Sequence, residues 1–270
     1  SNFNVKLIFH PQSDNLINLI KRKNVLRYGI FGLFLKLISI IYNSFSSASV
    51  SRMNKSYAGA FFKSKINDYN KIPKRKIFKP KSINSEEVIQ KIKKEKIDII
   101  CFLGGDIAKA DLINSPKLFT LNFHSGISPI YNGTKTIFHP CCDNSPNYCG
   151  GTLMLMSEQI DAGRVLLQYF PSIKKKDTGS SLFMKTVIGS TKLYYLFIKL
   201  IEKKYSFQGV VQPPAVNYKR YMDWNIYNDI RIRNFHISEK VNKFIRKEEI
   251  INYLNSSNFD QTYNFLNISK

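Results

Sequence analysis

At 270 residues, with 43% hydrophobic and 13% aromatic side chains, the chain can bury a sizeable core, which excludes a disordered polymer. Its 41 basic against 19 acidic residues give a formal net charge of +22, a field that attracts nucleotide phosphates, nucleic acid, an anionic membrane surface or the tail of a folate. The four cysteines form no C-x-x-C pair, which argues against a zinc ribbon and for a reducing, cytoplasmic setting, with no metal expected.

Val5 to Phe9 reads as a short strand, followed by a helical stretch from about Asn15 to Lys23. The greasiest stretch, Tyr28 to Tyr42, is interrupted by Lys36 and Ser39 and is too short to span a bilayer, so no transmembrane segment is expected. It reads as a buried helix of an α/β layer, with an anionic membrane surface as the alternative because Lys21, Arg22, Lys23 and Arg27 precede it. Residues 43–84 show no long element, and Lys71 to Lys81 reads as an exposed basic connection.

The clearest unit follows. Asn84 and Glu87 stand at capping-box spacing, and Val88, Ile89 and Ile92 supply one apolar helical face. The run Ile97 to Leu103, ending in Gly104-Gly105, reads as a strand of a parallel sheet buried on both faces. In open α/β sheets ligands sit at that carboxyl edge. Further strands are expected at Leu118–Phe123, Gly151–Met156 and Val165–Tyr169, then a long helix from Asp177 or Thr178 to about Lys203. After Phe207 the composition changes: Gln212-Pro213-Pro214 marks a break, and a last helix is expected from Ser238 through Leu254.

The chemistry concentrates in Leu121-Asn122-Phe123-His124-Ser125-Gly126. One residue apart on a strand end, Asn122 and His124 project to the same side. Asp161 follows in a second loop between apolar runs. Acyl transfer to an amine needs these types: an amide or imidazolium for the developing oxyanion, and a group that moves the amine's proton beside an orienting carboxylate.

The order N-x-H-x-G-x-x-P-x-Y-x-G, then G-x-T, then I-D-A-G resembles the folate-dependent formyltransferase family over roughly residues 97 to 205. The resemblance implies an α/β, Rossmann-like, mostly parallel twisted sheet flanked by helices over 1–207, with its opening strand missing or replaced, and a part-helical extension over 208–270. It implies 10-formyltetrahydrofolate as donor and Asn122, His124 and Asp161 as catalytic residues. Gly105, Asp106, Ile107, Ala108 and Gly163 match the cofactor loops, while Ser125, Gly126, Tyr131, Gly133 and Thr152 are expected at the substrate. The sequence departs from the family at Ser128, Asn132 and Met154, where Leu, Arg and His are frequent.

The short tail does not suit the added β-barrel of methionyl-tRNA enzymes, nor the compactness of glycinamide ribonucleotide enzymes. Gly-Ile-Ser-Pro-Ile-Tyr-Asn-Gly-Thr with Phe138-His139-Pro140 looks more like the amino-sugar formyltransferases of surface-polysaccharide pathways. The expected partner is therefore a nucleotide-linked amino sugar, with nucleic acid less favoured and a homodimer compatible. A formyltetrahydrofolate hydrolase and a non-catalytic shell that binds nucleic acid are the alternatives.

Overall fold

A computed structural model of the chain describes residues 4–6, 8–9, 29–45, 58–59, 71–236 and 243–256. Its central element is a five-stranded sheet in the order β3 (Ile99–Phe102), β4 (Phe119–His124), β6 (Gly151–Leu155), β7 (Val165–Phe170), β9 (Glu249–Asn252). A separate parallel pair joins β1 (Ile8–Phe9) to β2 (Ile77–Phe78). Three-residue β5 (Tyr131–Gly133) and β8 (Asn217–Lys219) pair in parallel beside the main sheet.

The architecture is the expected α/β one, and its sheet is mixed. β3 and β4 run parallel, whereas β4–β6, β6–β7 and β7–β9 are antiparallel. The link from Leu155 to Val165 is too short for the crossover that a parallel pair needs, so β6 and β7 close as a hairpin. That hairpin loop carries Asp161.

Helix α1 (Gly29–Phe45) packs against α6 (Ile226–Asn234), itself set against α4 (Phe138–Cys142). It is not the wholly buried helix expected. Lys36 and Ser39 face inward while Phe31, Phe34 and Phe45 are exposed. The inward polar groups are satisfied: Lys36 Nζ donates to the Trp224 carbonyl at 2.7 Å, and Ser39 Oγ donates to Asp229 Oδ2 at 2.5 Å. Burial still holds the Lys36 amine below its usual range, against the pull of Asp229 and Asp223.

Helix α2 (Glu86–Lys94) buries Val88, Ile89 and Ile92 as its periodicity predicts. Its N-cap is Ser85, one residue later than expected. The Asn84 side chain instead accepts from the Lys109 N–H and donates to the Ile107 carbonyl. This ties the helix start to the loop beyond β3, just before α3 (Ala110–Ile113).

Helix α5 (Gly179–Glu202) opens on a capping box between Thr178 and Ser181, a cap that contributes about 1 kcal/mol. It lays Leu182, Leu193 and Phe197 on the core, and Gly189 lets it settle onto the Tyr169 ring of β7. Leu196, although apolar, faces solvent.

Two other expectations change. Residues 71–81 are not merely a connection, because Ile77–Phe78 forms β2 and Phe9 meets Phe78 edge-on at 5.8 Å. Residues 249–252 form β9, the far edge of the main sheet, in place of a helix. Ile250 packs into one core cluster and Ile251 into others, so the apolar pair read at helical spacing serves both faces of a strand. The expected helix at 15–23 and the start of the one at 238 lie outside the described residues.

Candidate active site

The site is built where β4 ends. Leu121 and Phe123 turn into the core, so strand alternation turns Asn122 and His124 the other way, into a cleft of about 630 Å³. The cleft is lined by the end of β3 through Ala108, by 156–163 of the hairpin loop, by Gly133 at the end of β5 and Thr134 after it, by Tyr218–Met222, and by Phe183 and Val187 of α5. Tyr194 of α5 donates its hydroxyl to the Phe102 carbonyl and pins the β3 end to the helix.

The structure brings Asn122, His124 and Asp161 to this one cleft. His124 Nδ1 lies 3.3 Å from Asp161 Oδ1, and its Nε2 is 3.1 Å from the Tyr131 carbonyl. Both ring nitrogens therefore face acceptors, and only a doubly protonated ring donates to both. The Asn122 carboxamide, by contrast, makes no hydrogen bond within the described residues and is open to the cleft.

Asp161 is held from behind. Its backbone is left-handed, with φ of 53°. Its Oδ2 accepts from the Gly133 N–H at 3.0 Å. Two carboxamides clamp its carbonyl: Asn132 Nδ2 donates at 3.0 Å and Gln212 Nε2 at 3.1 Å. Gln212 Nε2 also reaches the Gly163 carbonyl at 2.6 Å. Such a clamp holds a residue in a sparsely populated conformation that costs about 1–3 kcal/mol to maintain. Gly133 must be glycine for the clamp to form, since its φ is +99° and a Cβ would collide with the Lys219 carbonyl.

The other expected residues divide. Gly105, Asp106, Ile107, Ala108, Gly163, Ser125 and Gly133 line the cleft. Gly126, Tyr131 and Thr152 do not; they form the packed layer behind it. A Cβ on Gly126 would press on His124 Nε2 and on the Tyr131 carbonyl. Thr152 Oγ1 donates to the Gly126 carbonyl at 2.7 Å and accepts from the Ser128 N–H at 3.0 Å. Tyr131 donates its hydroxyl to Asp143 at 3.2 Å, and burial raises that hydroxyl's pKa well above the usual range. These three residues position the His124 loop, and their side chains face protein.

Residues that the sequence reading missed complete the site. Asn132 was noted only as a departure, and Gln212 only as part of a break before two prolines. Tyr218-Lys219-Arg220-Tyr221 carries no motif in the sequence. The alternation of Val216-Asn217-Tyr218-Lys219 is the available signal, but nothing local says that β8 docks on β5, through Gly133 opposite Lys219 and the Thr134 N–H on the Lys219 carbonyl at 2.8 Å.

The chain is similar to several known proteins. The chain is 33% identical over 175 residues to the bifunctional polymyxin resistance protein ArnA of Wigglesworthia glossinidia brevipalpis, a match covering 60% of this chain and 26% of that protein. It is 30% identical to the methionyl-tRNA formyltransferase of Fusobacterium nucleatum, covering 47% of this chain and 41% of that one. The chain thus spans a quarter to less than half of these curated relatives. A sugar N-formyltransferase from Shewanella sp. FDAARGOS_354 superposes with a TM-score of 0.46 at 20% identity, over 58% of this chain and 66% of that one. The sequence profile of the formyl transferase family matches residues 36–196, more than half of the chain, and the chain belongs to that family.

Proposed function

We propose that the protein transfers a formyl group from 10-formyltetrahydrofolate to a primary amine, that of a nucleotide-linked amino sugar. The observation that carries this reading is the meeting of an unengaged Asn122 carboxamide with the His124–Asp161 pair in one cleft. The donor supplies an activated one-carbon carbonyl. The lining at 102–108 and 156–163 fits its flat ring system: Gly104 and Gly105, with φ of 65° and 121°, present bare backbone, and Ile107 is an exposed apolar surface.

Asn122 donates its amide N–H to the carbonyl oxygen, where negative charge grows as the amine attacks. His124, with Nε2 held on the Tyr131 carbonyl, keeps Nδ1 against Asp161; the pair receives the proton that the amine sheds and returns one to the donor nitrogen as its bond to the formyl carbon breaks, releasing tetrahydrofolate. The tight backing by Gly133, Asn132 and Gln212 spares the site from reorganising at that moment. A second reading, methionyl-tRNA as acceptor, draws on the net charge of +22 and the similarity to the Fusobacterium enzyme.

The test is incubation with 10-formyltetrahydrofolate and a panel of nucleotide-linked amino sugars, with methionyl-tRNA as a further arm, read by mass spectrometry. The expected result is a sugar heavier by one formyl group that is lost in His124→Ala. Formate release with no formylated amine would replace this reading with a hydrolase.

A further inference from the structure

The ionisable side chains that line the cleft sort by segment. Asp106 and Glu158 belong to the segments assigned above to the donor, and Asp161 and His124 stand at the reacting centre. Lys219 and Arg220 are the cationic side chains of the remaining lining, and among the described residues neither forms an ion pair. They are bracketed by Tyr218 and Tyr221, both 45% exposed, so two aromatic rings flank two free cations at the mouth of a cleft. From these observations we infer that Tyr218-Lys219-Arg220-Tyr221 is the subsite for the phosphates of the acceptor, with the Tyr218 ring available to its base or sugar, while the Tyr221 ring carries Lys36 Nζ 4.0 Å from its centroid. The inference rests on the formyl-transfer reading above and names what that reading left open.

The placement suits a phosphate next to the reacting amine. Lys219 pairs with Gly133, one strand spacing of about 5 Å away, and the Gly133 N–H is bound to Asp161. In a nucleotide-linked sugar the diphosphate is bonded to the ring that carries the amine. An amine at Asp161 therefore brings its phosphates to β8 within about a ring's width. The backbone here is fixed from both ends. The Val216 N–H donates to the Pro129 carbonyl at 2.8 Å, and Asp223 Oδ2 accepts from the Arg220 N–H at 2.6 Å. The cations are thus carried on an anchored backbone, which lowers the entropy lost when they close on an anion. Both head groups line the cleft and suit phosphate oxygens, the guanidinium as a bidentate donor and the ammonium as a point charge.

The test is calorimetric titration of the full chain with uridine diphosphate and thymidine diphosphate as probes, and separately with tetrahydrofolate pentaglutamate. Wild type is expected to bind at least one nucleotide. Lys219→Gln and Arg220→Gln should each weaken that binding about tenfold, with a shallower salt dependence. Tetrahydrofolate pentaglutamate should change less than twofold. Arg220 is exposed, so its variant stays interpretable if Lys219→Gln unfolds, and thermal denaturation identifies that case. Three results overturn the inference: wild type binding neither nucleotide, Arg220→Gln binding as wild type does, or the loss falling on the pentaglutamate instead. Formyl transfer that depends on His124 is scored independently, so a failed nucleotide titration beside intact transfer sinks this subsite and leaves the reaction standing.

Discussion

Two stretches of chain line the same cleft and were built by different means. The β4 end and the hairpin loop belong to the central sheet: Asn122 faces Met154 and His124 faces Thr152 in the β4–β6 ladder. The 212–223 stretch joins from outside, docked on residues 129–134 through three-residue β8 and on the hairpin loop through the Gln212 carboxamide. The contrast shows how labour is divided. In the proposed reaction the sheet sets which groups react, and the added stretch locks the Asp161 loop and supplies positive charge.

The largest expected effect lies in the first stretch. His124→Ala should lower kcat by about 10³-fold or more, because it removes proton transfer and the partner of Asp161 together. Asn122→Ala should cost about 10²–10³-fold, the usual loss for one oxyanion donor. Steady-state tetrahydrofolate release measures both. If the two stretches are coupled through Asp161, Gln212→Leu should lower kcat about tenfold and alter the pH–rate profile, although Gln212 does not line the cleft. A lower melting temperature with an unaltered pH–rate profile would make Gln212 merely structural.

Smaller effects test the packing. Gly133→Ala forces a side chain into a left-handed backbone against the Lys219 carbonyl and should cost about 1–3 kcal/mol in denaturant unfolding. His139 is buried edge-on to Trp224, with its ring centroid 5.2 Å away, and burial lowers its pKa to about 4. Between that value and about 6.5 the unfolded chain binds a proton that the folded one refuses. Stability contributed by neutral His139 is therefore present above pH 6.5 and lost as pH falls towards 4. His139→Gln should flatten that part of the curve of unfolding midpoint against pH.

Legibility followed the same division. Leu121 to His124 and Ile160 to Gly163 were readable because strand alternation and glycine-bounded loops are local signals, and Thr178 announced its helix through a cap. The hairpin direction of β6 and β7 was fixed by a loop length that strand-by-strand reading did not use. The strand at 249–252 was hidden because apolar pairs suit either period. Lys36 and Ser39 interrupt the greasy stretch in sequence, yet they are buried on the helix's inward face, since Asp229 and the Trp224 carbonyl, nearly 190 residues later, supply their partners. The roles of Gln212 and Lys219 depend likewise on distant pairing, which no local pattern encodes.

The most direct test is stoichiometric. Tetrahydrofolate and formylated amine are measured together, in wild type and in Asp161→Asn, which keeps the loop's shape while removing its charge from His124. One formylated amine per tetrahydrofolate in wild type, and loss of both by about 10²-fold or more in the variant, is the predicted result. Undiminished transfer in Asp161→Asn, or tetrahydrofolate formed with only formate beside it, would contradict the account.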